Sequence, residues 1–582
     1  MKEKIKNILK KEWHLPLSGK LMRIIQSFSL AEKAVFGVFT VILAVSAVVL
    51  LFQVNKLFLI EVPDYGGTLK EGVIGTPRFI NPLLAASDID KDLTSLVYSG
   101  LLKINSAGEL VPDLAERYTI SDDSLTYTVT LKDNIYFQDG TRVTADDVLF
   151  TIEKAQDSTL KSPREANWSG VKVTEIDEKT ISFSLKQPYS PFIQNLTMGI
   201  LPKNLWKNVS NEEFPYSQLN TKPIGSGPYG VDSITYSGNG LPSEYHLKAF
   251  AKYSLGEPYI TNLVLKSYQN ESTEIDAYKS GDIDSLHSIS PKELPTVKVQ
   301  DDSIVLSPLP RIFGVFFNQN AQPIFVNKEV RQALNAVTDK QAIIDSVLEG
   351  YGVVIDGPVP VKNIVTAKAT TTEDERIAAA RAILTKAGWK LNDSGIFEKK
   401  DKSGTQTLSF SISTGNAPEL KDTAYLLQRE WQKLGAVVEV KVFEIGDLNQ
   451  NIIKPRKYDS LLFGEIVGRD MDLYPFWHSS QRNTPGLNIA LYTNLKADKL
   501  LENLRDTTDA DEQEAYFDDF TKEIKNDVPA VFTYSPYFIY IVPKTVKNVT
   551  LGTITQPSER WSDIGEWYIE TNSVWKIFNK AR

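Results

Sequence analysis

The first residues to draw a chemical reading are acids in clusters. The stretch YFQDGTRVTADDVLFTIE (Tyr136–Glu153) carries Asp139, Asp146 and Asp147, and Asp122-Asp123 lies just upstream. General acid–base work needs two carboxylates facing one reacting group. Adjacent carboxylates instead point to different faces of a strand or helix. Local chemistry gives each acid a simpler task. Asp139-Gly140 is a tight-turn dipeptide between NIYF and TRV. Thr144 and Asp147 form a capping box ahead of an apolar face begun by Val148, Leu149 and Ile152. A second cluster, Asp470, Asp472 and His478, has the donor types to ligate a cation, but D-x-D is common on loops. With no G-x-S-x-G and no H-E-x-x-H, a surface hydrolase using these acids lacks its supporting context. The chain reads as a non-enzyme with no metal and no cofactor.

The bulk numbers narrow the class further. The chain has 582 residues, no cysteine and four histidines. Disulfides, thiolate metal sites, thiol nucleophiles and a lipid on cysteine are thereby excluded. Residues 1–60 hold nine Lys/Arg and three Glu, a net of +6; subtracted from −9, this leaves −15 for the remainder. An acidic body argues against nucleic acid, which needs a basic footprint.

Between Lys33 and Lys56 lie 22 uncharged residues, enough to cross a bilayer core of about 30 Å. The lysines before that run predict residues 1–33 as a cytoplasmic basic tail, 34–55 as a single-pass signal anchor and the rest as extracytoplasmic. A cleaved signal peptide, with Val45-Ser46-Ala47 as the cleavage site, is the competing reading. Residues 56–67, with EVPDYGGT, read as a tether of turn residues.

The elements that would position any site then emerge from periodicity. Tyr127, Val129 and Leu131 alternate with threonines, and Ile181, Phe183 and Leu185 repeat that half-buried strand pattern. Leu420, Ala424, Leu427, Trp431 and Leu434 share one helical face, Gly435 stops the helix, and VVEVKVF (Val437–Phe443) comes next as a strand. Ile377, Ala380, Ile383, Leu384 and Ala387 form a like stripe before Gly388. Helix, glycine and strand in succession point to an α/β lobe in the C-terminal half.

Seven segments in order resemble the extracytoplasmic solute-binding proteins of ABC importers, oligopeptide/dipeptide-binding family (family 5). They are GTPRFINPLLAASDIDKDLTSLVYSGLLK (Gly75–Lys103), Gly108–Glu153, KPIGSGPY (Lys222–Tyr229), YKSGDIDSL (Tyr278–Leu286), Phe316–Ile344, AILTKAGW (Ala382–Trp389) and YDSLLFGEIVGRDMDLYPFWHSSQ (Tyr458–Gln481). The resemblance implies an α/β fold with two lobes closing like a clamp, of the type II periplasmic-binding kind, with an extra N-terminal subdomain. It maps the ectodomain to 68–582: lobe I at about 65–98, 221–315 and 541–582, the subdomain at about 99–220, and lobe II at about 316–540, with chain crossings near 315 and 540.

In peptide-binding members the ligand lies extended between the lobes, and an acid on lobe II holds its ammonium. The resemblance offers Asp470 and Asp472 for that role; the usual acid falls at Gly468, and Arg469 adjoins the candidates. Phe476 and Trp477 are candidate cleft walls, Arg311 a partner for a ligand carboxylate, and Tyr98 and Tyr229 further cleft residues. The implied partners are a peptide, an ABC permease with its ATPase subunits, and the membrane through one helix. Alternatives on the same frame are an oligosaccharide or other solute, or a sensor in place of a transporter.

Overall fold

The computed structural model describes residues 24–297, 302–359, 371–401, 404–469, 471–507 and 509–578. Most of the expected basic tail and Asp470 therefore lie outside the described residues. The chain divides into two compact units: residues up to Asp64 together with those from Thr571 onward, and Tyr65–Glu570.

In the first unit, helix Leu30–Phe58 starts at a Ser29 cap closed by Glu32 in a capping box. Its apolar residues encircle it with no buried side, and it is long and apolar enough to cross a membrane. The helix outlasts the expected span of 34–55, and the expected tether is not all turn. Leu59–Pro63 is a strand, paired antiparallel with Thr571–Trp575. Its partner lies some five hundred residues along the chain, so nothing local in EVPDYGGT announces the pairing. Asn55 accepts from Trp575 Nε1 at 2.8 Å, and Phe58 stacks on the same indole.

The second unit holds three sheets that matter for a site. In lobe I, Thr68–Ile74 runs parallel to Asn262–Tyr268, and Pro242–Ala249 and Tyr229–Tyr236 extend the sheet in antiparallel order. Helix Asp88–Val97 packs its Ile89, Leu93 and Leu96 into that lobe's core. The subdomain is an antiparallel sheet ordered Ala115–Ile120, Thr126–Leu131, Thr180–Ser184, Lys172–Asp177. Tyr127, Val129, Leu131, Ile181 and Phe183 all face its core, as their alternation predicts.

Lobe II is built on Arg311–Phe317, Ser460–Ile466, Ser409–Gly415 and Val437–Phe443, with helix Pro418–Leu434 burying the whole Leu420–Leu434 stripe. Gly435 ends that helix in the left-handed conformation, φ 118°. The fourteen-residue strand Ala530–Pro543 joins the lobes. Its first half pairs with Arg311–Phe317 in lobe II, and its second half with Asp302–Pro308 in lobe I. Between the two pairings lie Leu309-Pro310, which belong to neither partner strand, and Pro536, which stays within the long strand opposite Gly352.

The opening acids are scaffold. Asp139 Oδ1 accepts from Thr141 N at 2.9 Å in the hairpin turn. Asp147 accepts from Thr144 N and from Lys203 N, both at 2.9 Å, and Asp146 pairs with Lys203 Nζ at 2.5 Å. Asp123 closes a turn through Ser121 and Leu125 N. Each of these four carboxylates is engaged with its own neighbourhood.

Candidate functional site

Two cavities open where lobe I faces lobe II. The larger, about 390 Å³, is walled by helix Asp88–Val97 and its sequel, by subdomain residues 164–168 and 194–199, by Gly468-Arg469 of lobe II, and by Thr555–Glu559. The smaller, about 280 Å³, lies near the chain crossings and includes Arg311, Phe313, Glu419, Tyr534 and Ser288–Pro291. The larger volume falls in the range of small-ligand pockets, roughly 300–1,000 Å³.

Tyr98 sits at the base of the larger cavity because glycines admit its backbone. A Cβ on Gly225 would lie 2.1 Å from Val97 O, and one on Gly227 would lie 2.7 Å from Tyr98 N. This is what the KPIGSGPY motif accomplishes: close approach of two backbones that fixes the helix end carrying Tyr98. Tyr98 Oη and Thr94 Oγ1 are buried at the cavity without a hydrogen-bond partner among the described residues, and so is Arg469 Nε. Three buried polar atoms at one cavity thus lack a partner among the described residues, against the usual pairing of buried polar groups.

Arg469 closes the cavity from lobe II. Its Nη2 donates to Glu559 Oε2 and to Thr553 O, both at 2.7 Å. Nη1 lies 3.5 Å from Gly108 O, and a Cβ on Gly108 would stand 2.6 Å from that same nitrogen. Glu559 is held in turn by Thr555 N at 2.8 Å.

The short helix Pro557–Trp561 that bears Glu559 is bolted down by its next residue. Arg560, wholly enclosed, donates to Glu71 Oε1 at 2.7 Å and to both Asp92 oxygens at 2.7 and 2.9 Å. Tyr540 Oη and Ser285 Oγ complete Glu71. Burial acts to raise the Asp92 pKa, but the Arg560 charge and the His287 and Arg560 hydrogen bonds overcome it and hold it at about 2. Glu274, beside the same network, is pushed up to about 8 by burial and then by Glu71 and Glu271.

The expected site residues divide. Tyr98 lines the larger cavity and Arg311 the smaller, where Arg311 Nε is buried without a partner among the described residues. Asp472 is held within the chain: Arg505 grips it through Nε at 3.0 Å and Nη2 at 2.6 Å, and Arg505 itself stacks on Tyr474. Trp477 is enclosed in the lobe II core against Phe316, Tyr492 and Phe532, and Phe476 packs on that same core. Tyr229 is buried in lobe I and donates to Ile260 O at 2.9 Å. Trp477 and Tyr229, expected at the cleft, are thus enclosed in the cores of their lobes, and Phe476 is half-buried. His478 turns to Ser480, Asp498 and Glu502, away from Asp472. Among the described residues no group of three or more His, Asp or Glu is placed to hold a metal. Lys91, Thr94, Arg164 and Gln194, all cavity residues, are not singled out by the sequence: Lys91 and Thr94 fall inside the Gly75–Lys103 segment without a chemical pattern of their own, and Arg164 and Gln194 fall in none of the seven segments.

The sequence profile of the bacterial extracellular solute-binding proteins, family 5, middle region, matches residues 109–486. The chain belongs to this family. Its relatives include the oligopeptide-binding protein AppA of Bacillus subtilis (strain 168), 27% identical over 520 residues, which span 87% of this chain and 92% of AppA. The glutathione-binding protein GsiB of Escherichia coli (strain K12) is 26% identical, over 81% of this chain and 89% of GsiB. Among solved structures, B. subtilis AppA in complex with a nonapeptide superimposes with a TM-score of 0.64 at 28% identity, covering 88% of this chain and all of AppA. NikZ from Campylobacter jejuni with Ni(L-His) gives 0.66 at 27% identity, covering 86% and 99%. This solute-binding protein therefore shares its two-lobed frame with proteins that hold quite different ligands, and the cavity side chains must supply the distinction.

Proposed function

We propose that this solute-binding protein is a membrane-tethered receptor that captures peptides between its lobes and hands them to an ABC import permease with its ATPase subunits. The observation that carries the reading is the cavity of about 390 Å³ whose walls come from lobe I, the subdomain and lobe II at once. A ligand there touches both lobes, so it favours the closed arrangement by its differential affinity and shifts the population. The working boundaries are lobe I at about 65–98, 221–308 and 537–570, the subdomain at about 99–220 and lobe II at about 311–535, with hinges at Leu309-Pro310 and Pro536. Arg469–Glu559 and Lys292–Asp422 act as ties of the closed state. No bond is broken. The ammonium clamp of peptide-binding relatives falls to Asp470, since Asp472 is committed to Arg505.

Helix Leu30–Phe58 serves as an uncleaved anchor with the N-terminus cytoplasmic and the lobes outside. It keeps the receptor at high effective concentration near its permease. Protease treatment of intact cells is expected to release the lobes; protection of them reverses the topology.

Binding is tested on the full-length protein in detergent by thermal shift and calorimetry across a broad peptide library. The expected result is saturable, micromolar or tighter binding to a subset of peptides. A flat response to the whole library removes the peptide reading.

A further inference from the structure

The charge lining the larger cavity is unequal. Lys91, Arg164 and Arg469 contribute three cations, and Glu559 alone contributes a carboxylate. Arg469 and Glu559 neutralise each other across 2.7 Å, which leaves Lys91 and Arg164. Among the described residues Lys91 has one ion pair, a loose tie to the exposed Asp88 at 3.9 Å. Arg164 is partly buried, and its guanidinium has no acceptor or ion-pair partner among the described residues. Burial alone acts on its pKa, downward, with no charge nearby to offset it. A guanidinium carries five donors in a planar fork and is desolvated at a cost unless an anion meets it. Elsewhere in this chain the enclosed Arg560 has two carboxylates. The amide of Gln194 and the orphaned hydroxyls of Thr94 and Tyr98 adjoin the same space.

Resting on the reading that peptides fill this cleft, we infer that the larger cavity selects a carboxylate: Arg164, with Lys91, is its specificity-determining anion seat. The ligand is an acidic peptide, its carboxylate supplied by a Glu or Asp side chain or by the C-terminus. The carboxylate meets Arg164 in the bidentate geometry that guanidinium favours. An apolar portion of the same ligand rests on Met198, which shares the wall.

The test uses the full-length protein in detergent and two probe panels. The first holds tri- to nonapeptides, each paired with a Glu→Gln or Asp→Asn version and with a C-terminally amidated version. The second holds non-peptide di- and tricarboxylates. In the wild type, neutralising the relevant carboxylate is expected to weaken binding about 10- to 100-fold; the side-chain and amidated versions identify which carboxylate it is. In Arg164→Gln the charged and neutral versions are expected to bind alike, whereas a merely structural defect weakens both in proportion. Arg164→Lys is expected to restore part of the discrimination. If only non-peptide carboxylates bind, with the same Arg164 dependence, the anion seat stands and the peptide reading falls. If peptides bind and neutralisation costs less than about threefold, or costs as much in Arg164→Gln, the seat falls and the peptide reading stands. Binding by neither panel removes both.

Discussion

Two arginines in this protein face the same problem and solve it differently. Arg560, beneath the floor of the larger cavity, is enclosed and meets Glu71, Asp92 and Pro557 O, all within 2.9 Å. Arg164, on the subdomain wall, is partly enclosed and meets no anion among the described residues. A cation whose partners come from the chain belongs to the fold, since it ties Glu71 on one strand, Asp92 on a helix and the Pro557–Trp561 turn into one unit. Arg164, beside the cavity and without a partner among the described residues, is the arginine proposed to meet the ligand. Residue type is the same in both cases, so only the surroundings separate structure from function.

The largest effect is expected at Arg560. Arg560→Met strips Glu71 and Asp92 of the guanidinium they share and leaves, among the described residues, only His287, 3.6 Å from Asp92, as a basic neighbour; breaking a buried ion pair from one side costs about 3–5 kcal/mol. The expected outcome is a large drop in the urea midpoint, or no folded protein. A midpoint close to that of the wild type contradicts the structural role given to this arginine. The variant also loosens the turn carrying Glu559, so any folded fraction is expected to bind ligand more weakly through a faster off-rate.

The same network makes a pH prediction. The Glu274 carboxyl has a folded pKa of about 8 against 4.5 for its ordinary value, raised by burial and then by Glu71 and Glu271. Between those values the unfolded chain has released the proton and the folded one retains it. Stability therefore falls as pH rises through this window. Glu274→Gln removes the effect, so it is expected to stabilise by about 1–3 kcal/mol at pH 8, with the gain fading towards pH 4. Denaturation curves at four pH values check this; a gain independent of pH shows that Glu274 is not held protonated.

Much of this frame is legible in the sequence because its signals are local. The Leu420–Leu434 stripe, its Gly435 stop and the Tyr127–Leu131 alternation need only neighbouring residues to declare themselves. The cap at Thr144 and the turn at Asp139 are equally short-range. The site is less legible for the opposite reason. Whether Trp477 or Tyr229 faces core or cleft depends on which side of its element is covered, and both pack inward. The strand partner of Leu59–Pro63 is remote in sequence. Arg164 sits in an unremarkable SPREANW, and its meaning lies in the lack of a neighbour, which no spacing can encode.

Asp472 is an acidic counterpart of Arg560, a charge whose partner comes from the chain. Its carboxylate is taken by Arg505, 33 residues away, and accepts from Tyr474 N at 3.2 Å. Asp472→Ala is expected to lower stability by about 1–2 kcal/mol, since a charged hydrogen-bonded pair in a half-buried setting is lost. Peptide affinity is expected to change less than threefold. The reverse pattern, unchanged stability with lost binding, assigns Asp472 to the ligand and reopens its role as the ammonium clamp.

The smallest expected effect is the stability of Arg164→Gln, and it separates the two arginines most cleanly. Removing a structural cation destabilises because its partners are stranded; among the described residues Arg164 has no charged partner to strand. Its partial burial already costs desolvation in the absence of ligand, so a neutral side chain of similar reach relieves that cost. The expected change in unfolding free energy is within about 0.5 kcal/mol of zero, with any shift towards greater stability. Added carboxylate ligand is then expected to raise the melting temperature of the wild type and not that of the variant, because only the wild type binds it more tightly folded than unfolded. Stability traded against binding in this way is what an arginine reserved for a ligand entails; a clear loss of stability in Arg164→Gln would instead place it with Arg560 among the residues that hold the fold.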